Sequence, residues 1–143
     1  MIEPVPECDA SLVILSEALS ADEMEALIGL SPDRSVQRGD VTGASGRARS
    51  RFTVWRIGSG PSSQTPETQV FAVLDRVHDV ADRIRSAAND PRIHSVALWV
   101  GSEDRTFALD LPADRVMEIA RLGASLKIKV YHVDSQEGCA TDL

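Results

Sequence analysis

A chain of 143 residues with 43% hydrophobic and 26% charged residues has the composition of one globular domain, which excludes wholesale disorder. At this length a core can bury about 68–70% of the surface that the unfolded chain exposes, so neither disulfides nor a metal are needed as staples. The 22 acids outweigh 15 bases for a net charge of −7, which weighs against a general nucleic-acid binder and against a protein of anionic membranes.

The first predicted strand is Ala10 to Ala18, around the branched run Leu12-Val13-Ile14-Leu15. Ser20-Ala21-Asp22-Glu23 has the form of a capping box and opens a short helix carrying Met24, Leu27 and Ile28 on one side, ended by Gly29. Ser31-Pro32-Asp33-Arg34 reads as a turn, and Gly39, Gly43 and Gly46 break the periodicity beyond it. A second strand follows from Arg51 to Ile57, with Phe52, Val54 and Arg56 on one face and Thr53, Trp55 and Ile57 on the other. After a Gly/Ser/Pro loop at Gly58 to Thr65, the longest helix runs from Pro66 to about Ala88, with a stripe of Val70, Leu74, Val77, Ala81, Ile84 and Ala88. Ile93 to Val100 and Thr106 to Leu111 read as two strands of a hairpin. A helix at Pro112 to Leu122 and a last strand at Leu126 to Val133 complete the series, with Leu126, Ile128 and Val130 facing the core and Lys127 and Lys129 facing out.

The order β-α-β-α-β-β-α-β describes one α+β domain over residues 1–143, a mostly antiparallel sheet with helices packed on one face. Its ordered part spans about residues 10–133, and residues 134–143 form a frayed tail. The expected core is Leu12, Ile14, Leu27, Val70, Leu74, Val77, Ile84, Val96, Leu98, Ile119, Leu126, Ile128 and Val130. Met1 to Glu7 has neither a basic nor an apolar leader region, and the apolar runs are far short of the ~20 residues that cross a bilayer, so a cytoplasmic protein is expected. Cys8 and Cys139 fit free thiols in a reducing compartment; a bridge between them requires the two ends of the chain to meet.

Little of the sequence carries the signature of catalysis. His78, His94 and His132 lack metal-ligand spacing, Cys8 sits between two acids that oppose a thiolate, and no nucleophile elbow, phosphate loop or dinucleotide fingerprint occurs. No catalytic residue, metal or cofactor is therefore expected. Charge is unevenly placed: residues 1–33 hold eight acids and no base, whereas residues 34–57 hold six arginines and one acid. Asp22, Glu23 and Glu25 should form an acidic surface around the first helix, suited to a basic protein partner. Arg34, Arg38 and Asp40, with Trp55 if that ring is half-exposed rather than core, form the alternative: a small-ligand or enzyme site assembled in space. Asp33, Arg34, Arg38 and Asp40 should be held by backbone groups or by each other, because Asp side chains commonly satisfy turn amides.

Leu27-Ile28-Gly29-Leu30-Ser31-Pro32-Asp33-Arg34, then Arg38-Gly39-Asp40, then a strand with Trp55, and later Leu122-Gly123-Ala124-Ser125-Leu126-Lys127-Ile128 running into Tyr131, together resemble a domain-of-unknown-function family of small bacterial proteins, number 4279. The resemblance covers roughly Ala10 to Val133 and departs from the family in a longer Arg-rich loop at Thr42 to Arg51. It implies a compact α+β domain with no catalytic residues to carry over, and some members are associated with immunity to bacterial toxins. The expected function is that of a non-enzymatic protein-binding module such as an immunity protein, with a basic protein or toxin as partner.

Overall fold

A computed structural model describes residues 8–42, 48–58, 64–104 and 106–131. His132, Cys139, the tail at 134–143 and most of the two Gly-rich loops lie outside the described residues. The elements are β1 (Cys8–Ser16), α1 (Ala21–Ile28), β2 (Arg34–Val36), β3 (Val41–Thr42), β4 (Ala48–Arg49), β5 (Thr53–Gly58), α2 (Pro66–Val77), α3 (Ala81–Ala88), β6 (Ile93–Ser102), α4 (Ala113–Arg121) and β7 (Ser125–Val130). Five strands form one sheet in the order β2-β5-β1-β6-β7, antiparallel except for the parallel pair β6 and β7, and β3 and β4 make a separate small hairpin. This is the expected α+β class.

β1 ends at Ser16, because the Ser16 hydroxyl turns back on the chain. It accepts the backbone N–H groups of Ala18 and Leu19 and donates to the Arg92 carbonyl at 2.6 Å. The capping box of α1 is present in both directions, Ser20 Oγ on the Glu23 N–H and the Glu23 carboxylate on the Ser20 N–H. Gly29 closes the helix at φ 80°, where a side chain would also meet the Arg83 guanidinium. Thr65 caps α2 with Pro66 in its first turn, as their order suggests. One turn of 3-10 helix at His78–Val80 joins α2 to α3, so the predicted long helix is two segments with a tightened junction.

The alternation of β1, β5 and β6 sends one set of side chains under the helices. Leu12, Ile14, Trp55, Ile57, Val96, Leu98 and Val100 meet Met24, Ile28, Val70, Val73, Leu74, Val77, Ile84 and Ile119 in a single core.

Two expectations are corrected. Thr106 to Leu111 is not a strand: β6 is flanked by β1 and β7 and has no side left for a hairpin partner. The segment is an extended connector whose Phe107, Leu109 and Leu111 rest on the core edge, tied to α2 by the Asp110 N–H on Glu67 at 2.6 Å. A two-residue apolar period fits both roles. Second, Leu126, Ile128 and Val130 lie on the helix side of β7 but remain 39–49% exposed, because β7 is an edge strand beyond the helical cover. Leu27 is only partly buried; the other expected core residues are buried.

Candidate functional site

The residues that alternate with the core point to the other face of the sheet, on which no helix packs among the described residues. Register fixes their neighbours. Arg34 on β2 lies opposite Arg56 on β5, Arg56 opposite Val13 on β1, and Val13 opposite Ala97 on β6. In the next row Gly58 faces Ser11, Ser11 faces Trp99, and Trp99 faces Lys127; in the row after that Asp9, Gly101 and Lys129 stand side by side.

Small side chains lie at the centre of this face and large ones around it. Ser11 and Gly101 are buried beside Arg56, Trp99, Lys129 and Tyr131, and Ala97 is buried in the row with Val13. The result is a concavity of about 220 Å³ lined by Asp9, Ser11, Val13, Arg56, Trp99, Gly101, Lys129 and Tyr131. Gly101 is required by close approach: a Cβ there would run into the Tyr131 hydroxyl and the Asp9 carboxylate. Tyr131 donates its O–H to Asp9 at 3.0 Å, and its N–H holds the Ser102 carbonyl at 2.7 Å. Burial, then the hydrogen bond to Asp9, raises the Tyr131 pKa, so the phenol stays protonated and donating. Arg56 approaches the other Asp9 oxygen at 3.7 Å. Lys127 lies over the Trp99 ring at 5.6 Å and Lys129 over the Tyr131 ring at 5.5 Å.

The residues singled out from the sequence do not converge. Arg34 is exposed on the open face, whereas Trp55 is buried on the helix side, 1% exposed, with its indole N–H on the Leu30 carbonyl at 3.0 Å. Of the two alternatives for Trp55 the structure therefore has the core one, whereas Trp99, on the opposite strand face, is 37% exposed. Arg38 and Asp40 belong to the turn after β2. The Arg38 N–H donates to Thr53 Oγ1, its guanidinium to the Glu17 carbonyl, and Asp40 accepts the Gln37 N–H at 2.9 Å. Asp33 receives the Arg76 fork at 2.6 and 2.8 Å and the Gly58 N–H at 3.0 Å. Of the four turn residues expected to be tied down, Arg34 is held by the β2–β5 pairing, and its side chain alone has no hydrogen bond or ion pair among the described residues.

Asp22, Glu23 and Glu25 are exposed on α1. Glu23 is occupied by its cap, whose hydrogen bonds lower its pKa, and Glu25 accepts from Ser31 Oγ at 3.0 Å. Cys8 is buried; burial first, then Asp9 and Glu67, raise its thiol pKa, and its S–H donates to the Gln64 carbonyl. His94 stacks on Phe52 at 4.7 Å. No group of three His, Cys, Asp or Glu able to hold a metal occurs among the described residues, and none of the described helices is long and apolar enough to cross a membrane.

The place of Trp99 on the open face is a signal that strand parity in the sequence carries. If Val96, Leu98 and Val100 face the core, then Ala97, Trp99 and Gly101 cannot. No curated protein and no solved structure matches the chain. The turn, cap and strand residues that carry the resemblance to a known family all fall within one continuous match over residues 6–133, and the chain belongs to the domain-of-unknown-function family DUF4279.

Proposed function

We propose that the protein is a non-enzymatic binding module whose recognition surface is the open face of the sheet. The concavity over Ser11 and Gly101 carries this reading. A solvated sheet face needs only polar side chains, but this one sets the rings of Trp99 and Tyr131 and the cations Arg56 and Lys129 around a floor of small residues. Binding rather than nucleophilic chemistry is supported by Cys8, whose thiol is buried, hydrogen-bonded and raised in pKa.

The exposed acids of α1 favour a second reading, in which the chain binds a basic protein, such as a toxin, in the role of an immunity protein. One experiment separates the two. Extract of the native host is passed over the immobilised full-length protein, Val13→Trp, which fills the concavity, and the pair Asp22→Lys/Glu25→Lys. Glu23 is kept because it closes the capping box. Retained small molecules and proteins are identified by mass spectrometry. The open-face reading expects retention lost in Val13→Trp and kept in the acid variant. Retention of a protein that survives Val13→Trp but disappears in Asp22→Lys/Glu25→Lys overturns it in favour of the second.

A further inference from the structure

We infer that the open face takes a small aromatic oxyanion, a carboxylate or phosphate monoester on a flat ring, with its charge at Arg34 and Arg56 and its ring directed toward Trp99. The inference rests on the open-face reading and adds the chemistry of the ligand.

The charge is argued from the pairing of cations. Arg34 and Arg56 are register partners on adjacent strands, so two arginine side chains leave the sheet side by side on one face, a pairing of like charges that an anion between them would relieve. Three arginines elsewhere are closed on acids at short range, Arg76 on Asp33 at 2.6 Å, Arg92 on Asp90 at 2.8 Å and Arg115 on Asp75 at 2.9 Å, and Arg49, Arg83 and Arg85 bond backbone carbonyls. Arg34 has no such partner among the described residues. Arg56 has Asp9 at 3.7 Å, and Asp9 is already engaged by the Tyr131 hydroxyl. Lys127 and Lys129 lie over rings rather than against acids. This face therefore carries Arg34, Arg56, Lys127 and Lys129 against Asp9, in a chain whose net charge is −7. A pair of guanidiniums matches the planar or tetrahedral oxygens of a carboxylate or phosphate.

The ring is argued from spacing. Arg56 on β5 and Trp99 on β6 are separated by β1 and lie one row apart, which places their Cα atoms about 12 Å apart from the ordinary strand spacing and rise, and both side chains reach into the concavity between. Between them lie Val13, half-buried and apolar, and Ser11, buried and small. An oxyanion on a single aromatic ring spans that interval, whereas bare phosphate reaches only the arginine end.

The two tryptophans supply the test. Phenyl phosphate and benzoate are titrated separately into the nitrogen-labelled full chain, with inorganic phosphate and benzyltrimethylammonium as the ring-free and charge-reversed probes, and the indole N–H signals are followed by NMR. Trp99 should shift and Trp55, held on Leu30 under the helices, should stay still. Arg34→Gln and Arg56→Gln should each weaken binding of the aryl anion at least about tenfold, the effect of one lost charge-assisted contact. Inorganic phosphate should bind at least about tenfold more weakly than phenyl phosphate. Arg34→Gln touches no described partner, so its melting temperature should match that of the parent chain.

Benzyltrimethylammonium shifting Trp99 with undiminished affinity in both arginine variants overturns the anion while leaving the open-face reading in place. Equal binding of inorganic and phenyl phosphate overturns the ring. Absence of any Trp99 shift with either aryl anion at about 10 mM, a concentration that would detect even millimolar affinity, overturns the inference as a whole. The open-face reading is then decided separately by Val13→Trp in the extract experiment.

Discussion

Asp33 shows how one side chain in a turn can hold two layers together. Its carboxylate takes the Arg76 fork from α2 and the Gly58 N–H from β5, and those hydrogen bonds lower its pKa from 3.8 to about 2. Folding thus favours the ionised form, so the stabilisation is fully present above the unfolded pKa and disappears as pH falls through the folded one. Both partners are more than a third exposed and screened by solvent, so Asp33→Asn should cost about 1 kcal/mol at pH 7. In urea unfolding, the difference between variant and parent should narrow as pH falls from about 5 toward 2 and close below that; a gap at pH 2 as large as at pH 7 would place the effect outside the ion pair. Asp33 was readable from its turn context, but its partner was not, because Arg76 lies 43 residues away on another element. The tryptophans teach the complementary lesson. Aromatic character says that a side chain prefers cover, whereas strand parity decides which face it has, and parity places Trp55 inside and Trp99 outside.

At the scale of elements, local signals were legible where the chemistry that enforces them is local. The capping box of α1 and the Thr65-Pro66 start of α2 involve residues within a few positions of each other, and both are present. The connector at Thr106 to Leu111 and the exposure of β7 were not legible, because each depends on which strands are already neighbours. The pattern Leu126-Lys127-Ile128-Lys129-Val130 states which side is apolar and nothing about whether a helix lies above it. The two kinds of apolar position should separate cleanly in stability. Leu12→Ala, at a site with 0% exposure between β5 and β6, should cost about 2–5 kcal/mol, whereas Leu126→Ala, at 44% exposure, should cost less than about 1 kcal/mol. Equal losses in thermal or urea unfolding would mean that β7 is covered in solution.

For the whole molecule, the two sheet edges are protected differently. β2 offers only three residues, whereas β7 offers six with apolar side chains exposed on one side. A second copy pairing antiparallel on β7 in the register centred on Ile128 would set Lys127 against Lys129 of the other copy, and that repulsion guards the edge. Lys127→Thr/Lys129→Thr should therefore self-associate, seen as concentration-dependent sedimentation at concentrations where the parent chain stays unchanged. The acidic first third and the Arg-rich segment after it are matched in part within the chain, as Arg51 on Glu17 at 2.8 Å and Arg56 near Asp9 at 3.7 Å show. Strand order adds a demand on biosynthesis. β1, made before the other four strands of this sheet, occupies its middle, and its two neighbours are β5 and β6. At about 5–20 residues per second, the interval between Ser16 and Gly58 takes several seconds of translation, during which Leu12-Val13-Ile14-Leu15 has neither of its partners, and β6 follows only after the helices have been made. The nascent chain must keep its most aggregation-prone segment apart from other chains until nearly all of the sheet has been made.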